Sequence, residues 1–484
     1  MTDKIMKTIF MMCLLAAAAQ QMSAEGIKTA GDGKTYTLDL LSQMEGSGVE
    51  KYVDENNGEV VYIMSANDTI ATGDKFVMDD NVSLLFGDNV TFVIEGEADF
   101  QLKNGATFDN AFVGAEVVRP VGIMMKNEQS QTVFRNCTFN FVGLRNMSAK
   151  GLKVDNCAVI YNNAAIGQAA LTIGTDGAPF EVTNCTFSHN SKAAIAGAAN
   201  YRNPLLIEDC EFYANGQANG NTPQLNLTVA DNVVIRGCTI EGDPEKTMVG
   251  GIVVANLMGY TDEMNTLIED NIITDGRFGI ATYMGQNVVV RNNTLKDNCH
   301  EVNPMNGGSG INVYDPFGKQ KSYIEGNHIE GSLWGVTIVG DNNTYANLGR
   351  IDVEPTSEDY NPGGNVFVNN GNGGQLYDLY NNSLSTVYAQ GNTWNVSEQT
   401  EEQIESVIFH NHDDWTLGTV IFMPAKETTG ISSPDNTRLC FDNSIYDLQG
   451  RRYHSKLQIS NFRKGLFVIR PAGQGKNGKK MVIK

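Results

Sequence analysis

What most limits the folds open to this chain is a short pattern that returns eight times with its positions in register. Around Cys137 the sequence reads VFRNCTFNF, around Cys185 FEVTNCTFSHN, around Cys210 LLIEDCEFYAN and around Cys238 VVIRGCTIEG. With the cysteine as position zero, Cys157 holds the same place, and Asn271, Asn293 and Asn327 replace it later. Three residues before zero stand Phe134, Val154, Val182, Ile207, Ile235, Ile268, Val290 and Ile324. Two residues after it stand Phe139, Val159, Phe187, Phe212, Ile240, Ile273, Leu295 and Ile329. Every one is apolar, so both positions face a core.

The residue just before zero is Asn136, Asn156, Asn184, Asp209, Gly237, Asp270, Asn292 or Gly326. These types tolerate a left-handed backbone. Each unit therefore reads as a short strand, a sharp bend and a second short strand. Position zero turns inward, where Cys or Asn stacks on its counterpart, and an Asn hydrogen-bonds along the stack. Two residues before zero the side chain points outward, and from Glu208 the signs alternate through Arg236, Glu269, Arg291 and Glu325. Coils stacked in parallel at about 4.8 Å would set each charge against its opposite, at a gain of roughly a few tenths of a kcal/mol per pair.

A further strand follows each unit, as GGIVVAN (250–256), FGIATYM (278–284), SGINVYD (309–315) and WGVTIVG (334–340). Zero positions lie 20 to 34 residues apart, a solenoid interval, with no helical periodicity between them. Five in-register cysteines point to a file of buried thiols, since free Cys behaves as a small hydrophobe. Disulfides between neighbouring coils are the alternative, and no CxxC or partnered His pattern marks a metal site.

With these motifs the chain resembles the right-handed parallel β-helix proteins of the pectin-lyase-like superfamily, over roughly residues 60–425. The expected fold class is all-β: a right-handed parallel β-helix solenoid with an N-terminal cap and a small C-terminal β module. Residues 1–24 read as a signal peptide, with Lys4 and Lys7 before an apolar run and MSA before a cut after Ala24. Residues 25–115 are expected to form the cap and early coils, 116–427 the β-helix and 428–443 a linker. Residues 444–484, with YDLQGRR, KGLFVI and GKKMVIK, resemble the C-terminal sorting tails of the type IX secretion pathway of Gram-negative bacteria. A small β module with no sorting role is the alternative. No later stretch is apolar and long enough for a transmembrane helix. The chain is expected outside the cytoplasm, secreted or at the cell surface, as a monomer.

With 56 acidic against 35 basic residues, the formal charge is -21. That excludes nucleic acid bound through a general positive field. It also repels polyanionic glycans unless a basic groove or a metal ion intervenes. The resemblance implies a glycan partner and, in lyases of this fold, an Arg or Lys base with calcium held by carboxylates; hydrolases use two or three carboxylates. The outward strand positions Val253, Ala281, Asn312 and Thr337 show neither set.

The loops after these strands carry Tyr260, Asp262 and Glu263, then Tyr283, then Tyr314, Asp315, Phe317 and Lys319. Tyr260, Tyr283 and Tyr314 occupy similar places in successive coils. With Asp315 and Phe317 they form a candidate carbohydrate-binding row; packing of the loop bases is the other reading. The loop at 340–363 adds Tyr345, Arg350, Asp352, Glu354 and Asp359. Arg277 is a candidate base, His410, His412 and Asp414 are a candidate divalent-metal site, and the acidic loop DVEPTSEDY (352–360) is a candidate site for calcium. The expected function is a polysaccharide-binding protein that in one reading also cleaves its glycan as a lyase or hydrolase; the alternative is a non-catalytic surface adhesin.

Overall fold

The computed structural model describes residues 24–54, 58–111, 121–162, 166–197, 202–228, 231–259, 264–285 and 287–426, and four strands within 445–483. The signal-like segment to residue 23 and the linker at 428–443 lie outside the described residues. The chain divides into two units, Met1–Glu427 and Thr428–Lys484.

The first unit is a parallel β-helix. Fourteen strands from Ala24–Lys28 to Ile408–Phe409 stack into one sheet, called sheet I. The strand before each bend belongs to sheet II and the strand after it to sheet III. Phe134, Val154, Val182, Ile207, Ile235, Ile268, Val290 and Ile324 pair one above the next in sheet II. The apolar positions from Phe139 to Ile329 do the same in sheet III. All of them are buried in a cluster that runs from Tyr36 to Phe422. At the early coils its rings stack directly, with centroids 4.4 Å apart for Phe100 and Phe134 and 4.8 Å for Phe108 and Phe139.

The bends follow the residue types. Position −1 is left-handed in all eight units, with φ from 50° at Asp209 to 64° at Gly237 and Gly326. This geometry frees the backbone N–H of position zero to donate to the side chain above it. Cys137, Cys157 and Cys185 each donate at 3.4 Å to the Sγ of the next cysteine. Cys238 donates to Asn271 Oδ1 at 3.0 Å, and the file continues through Asn293, Asn327, Asn365 and Asn392. The five cysteines are free and buried, so thiol sulfur takes over the acceptor role of an amide oxygen. Outside, Arg135 meets Asp155 at 3.0 Å, Arg236 meets Glu208 at 2.6 Å, and Arg291 meets Glu269 at 2.7 Å and Glu325 at 3.9 Å.

A second bend, four residues after zero, is also left-handed at Phe141, Tyr161, His189, Ala214, Asp275, Asp297, Gly331 and Asn369. At the N-terminal end Thr37 caps the short helix Leu38–Leu41, in which Leu38 and Leu41 are buried. Val49–Val53 and Val60–Met64 pair antiparallel beside it. In the second unit, Ile445–Asp447, Arg452–Tyr453, Gly465–Ile469 and Lys479–Ile483 form an antiparallel sheet.

Candidate functional site: an aromatic platform on sheet I

Side chains on a strand alternate between faces, so every second residue of sheet I points away from the core. One such file runs Val253, Ala281, Asn312, Thr337, Tyr380 and Phe409, each paired with the next. The small members lead to two rings stacked at 4.7 Å and 8° between planes, Tyr380 and Phe409. Trp334 lies 4.8 Å from Tyr380 and 4.9 Å from Tyr377. Its indole N–H donates to Pro304 O at 3.1 Å, which ties the 299–308 connection to this edge. The coils approach closely where they enter the sheet: a Cβ on Gly335 would come within 2.3 Å of Asp378 O. Burial pushes the Tyr380 phenol up, with Tyr377, Asp414 and Asp413 adding to it, so the hydroxyl is neutral.

The opposite edge carries two of the tyrosines singled out from sequence. Tyr283 pairs with Tyr314 and their rings stack at 4.6 Å and 16°. Phe317 stands 64% exposed on the next loop. Asp315 corrects an expectation. It is fully buried and accepts the backbone N–H groups of Lys319 at 3.0 Å and Gln320 at 2.9 Å. It shapes the loop that presents Phe317 and has no surface to offer a sugar. Tyr260, Asp262 and Glu263 lie outside the described residues.

Two of the three candidate metal ligands meet on one carboxylate oxygen, and the third is engaged elsewhere. His410 Nδ1 accepts from Val420 N at 2.9 Å, which leaves Nε2–H to meet Glu405 Oε1 at 2.8 Å. His412 Nδ1 lies 3.0 Å from the same Glu405 oxygen. Asp414 instead accepts from the backbone and hydroxyl of Thr416. Glu405, five residues before His410, is the partner that both histidines share. Among the described residues no group of three His, Cys, Asp or Glu converges to hold a metal ion.

Arg277 is half-buried. Burial pushes its guanidinium down, with Glu301 opposing, and its Cζ sits 5.2 Å over the Phe278 ring. An acid–base cluster occupies the second bend: His300 Nε2 lies 3.2 Å from Asp275 Oδ1, and burial raises the Asp297 carboxyl. The long loop braces itself. Asp359 accepts from Tyr345 at 2.9 Å and from Arg350 at 3.0 Å, and Arg350 also lies 4.1 Å over the Tyr388 ring.

Sheet II holds a shallow concavity of about 360 Å³ lined by residues including Val234, Leu267, Val289, Asn265 and Arg291. Its amides pair with each other, Asn287 to Asn265 to Asn232, and Arg291 is committed to Glu269. It offers apolar contact without the free polar groups that orient a small ligand. The sheet I platform is the stronger candidate.

Sequence reasoning stopped one coil short of that platform. The outward file was readable to Thr337, but the next strand, LYNN at 379–382, lacks the Gly–apolar entry that marked the others. Continuing the file by one coil would have reached Tyr380.

Comparison with known proteins supports the architecture. A family model described as a right handed beta helix region matches residues 121–258. No curated protein sequence matches the chain. Among solved structures, the periplasmic alginate epimerase AlgG is 12% identical, with a TM-score of 0.50 over 85% of this chain and 88% of that one. A double mutant of that enzyme is 12% identical over 86% and 88%, at a TM-score of 0.49. At this identity the likeness shows the fold: a right-handed parallel β-helix.

Proposed function

We propose that this protein binds polysaccharide outside the cytoplasm, holding the glycan against the aromatic platform of sheet I. The carrying observation is the outward file that ends in the stacked Tyr380 and Phe409, with Trp334 and Tyr377 beside them. Aromatic faces present flat apolar area with a polar handle at the rim, which suits the C–H faces and hydroxyl edges of a sugar ring. Tyr283, Tyr314 and Phe317 extend the aromatic surface along the other edge. The solved neighbour acts on alginate in the periplasm, and the signal-like N-terminus supports export. No helix among the described residues is long and apolar enough to cross a membrane. Binding is favoured over cleavage because the file from Val253 to Phe409 holds no acid or base.

The test is affinity electrophoresis and calorimetry of the full chain against a polysaccharide panel, with calcium and with chelator, beside assays for reducing ends and unsaturated uronates. Retention without turnover is expected. Tyr380→Ala and Trp334→Ala should each weaken binding about five- to thirtyfold, the loss of about 1–2 kcal/mol per ring. Turnover would replace the binding reading with an enzymatic one and direct mutagenesis to His300, Asp297 and Arg277.

A further inference from the structure

We propose that the platform selects an uncharged polysaccharide and rejects polyuronates; this rests on the binding reading above. Over five strands the central file is Ala281, Asn312, Thr337, Tyr380 and Phe409, without a charge. A uronate would bring one carboxylate per sugar onto that surface. Each would lose water without gaining a partner of opposite charge, and no cation on this stretch of the file offsets that desolvation. Rings offer no compensation, since the face of an aromatic ring is its negative pole.

The surroundings deepen the selection. Asp413 and Asp414 act electrostatically on Tyr380. Of the basic side chains nearby, Arg277 is drawn back over Phe278 with Glu301 beside it. Lys319 is exposed on the loop of the far edge. Arg145 belongs to the same outward file but sits five strands before Ala281. The charge of -21 on the whole chain adds a repulsive field for any polyanion that approaches. The occupant that fits is a neutral hexose- or pentose-based chain whose rings present flat C–H faces to Trp334, Tyr380 and Phe409.

The experiment compares neutral glucans, xylans and mannans with alginate and polygalacturonate, using the full chain in affinity gels and by calorimetry at low and high salt. Alginate whose carboxyls have been reduced to alcohols serves as an uncharged copy of the same backbone. A neutral glycan is expected to bind at least about tenfold more tightly than either polyuronate. Its affinity should be nearly unchanged by salt, and carboxyl reduction should improve the binding of alginate. Preference for a polyuronate, with or without calcium, would overturn this inference and leave the binding reading standing. Retention of no glycan at all would overturn the binding reading and this inference with it.

Discussion

At the scale of single residues, Asp378 is where burial acts most sharply. It sits at the foot of the strand that presents Tyr380, and its carboxylate accepts from Asn395 N at 2.8 Å and from Asn370 Nδ2 at 3.3 Å. Desolvation outweighs both bonds and pushes the carboxyl up from 3.8 to about 7. A carboxyl raised in the folded state holds its proton there while the unfolded chain has lost it. Its contribution to stability is therefore full below the unfolded pKa and is lost as pH rises from about 4 to about 7. The shift corresponds to about 4 kcal/mol as an upper bound. Relative to an Asp378→Asn variant, the wild type should gain stability as pH falls from 7 to 4, read as the difference in urea midpoints. Parallel pH profiles would mean that Asp378 is ionised in the fold. The neighbouring LYDLY stretch gave no hint of this, because burial depends on which coil covers the residue.

Residue type announced the first bend and concealed the second. Asn, Asp and Gly recur before position zero because a left-handed φ penalises other side chains. At the second bend the same geometry is taken by Phe141, Tyr161, His189 and Ala214. There, tertiary packing supports it: Phe141, Tyr161 and His189 stack in file at 5.6 and 5.1 Å. No single-position rule joins a phenylalanine to an aspartate, so this bend was invisible until the coils were stacked.

At the scale of elements, the ladder at position zero holds sheets II and III in register. Asn293 accepts from Asn271 N at 3.1 Å and Asn271 Nδ2 at 2.9 Å, and donates to Asn327 Oδ1 and Ile268 O. Asn293→Ala would strand two buried donors of Asn271, take from Asn327 Oδ1 one of the two donors it accepts, and remove the amide that donates to Ile268 O. The expected cost is about 3–5 kcal/mol, since a buried unsatisfied group costs roughly 1–3 kcal/mol. Asn293→Cys should cost markedly less, because Cys157, Cys185 and Cys210 accept the same backbone N–H in earlier coils. Thermal unfolding of both variants checks the order; equal losses would show that the sulfur is only a filler. The strands of this ladder were legible because their pattern is local. The platform was legible only in part: Tyr283, Tyr314 and Trp334 stand on marked strands, whereas Tyr377, Tyr380 and Phe409 belong to coils that lack the Gly–apolar entry.

At the scale of the molecule, a solenoid converts a repeat in sequence into a repeat in space. Each coil contacts its neighbours, so the outward file advances by one strand spacing, about 4.8 Å, per coil. That step is close to the length of one sugar in an extended chain. The five strands from Ile280–Tyr283 to Ile408–Phe409 therefore offer a surface about 19 Å long, enough for about five sugars laid across the strands. Affinity for oligosaccharides of the bound glycan should climb with each added unit up to about five and then level off, because longer chains run past the last coil. Calorimetry on a length series measures this directly. A monosaccharide bound as tightly as a pentasaccharide would confine recognition to the Trp334–Tyr380 pair and leave Tyr283, Tyr314 and Phe317 without a part in it. A plateau near five, lowered by a unit or two in Tyr314→Ala, would assign the far edge its share. The small residues between the two aromatic edges would then have a physical reason: Ala281 and Thr337 keep the surface low enough for a chain to lie across it.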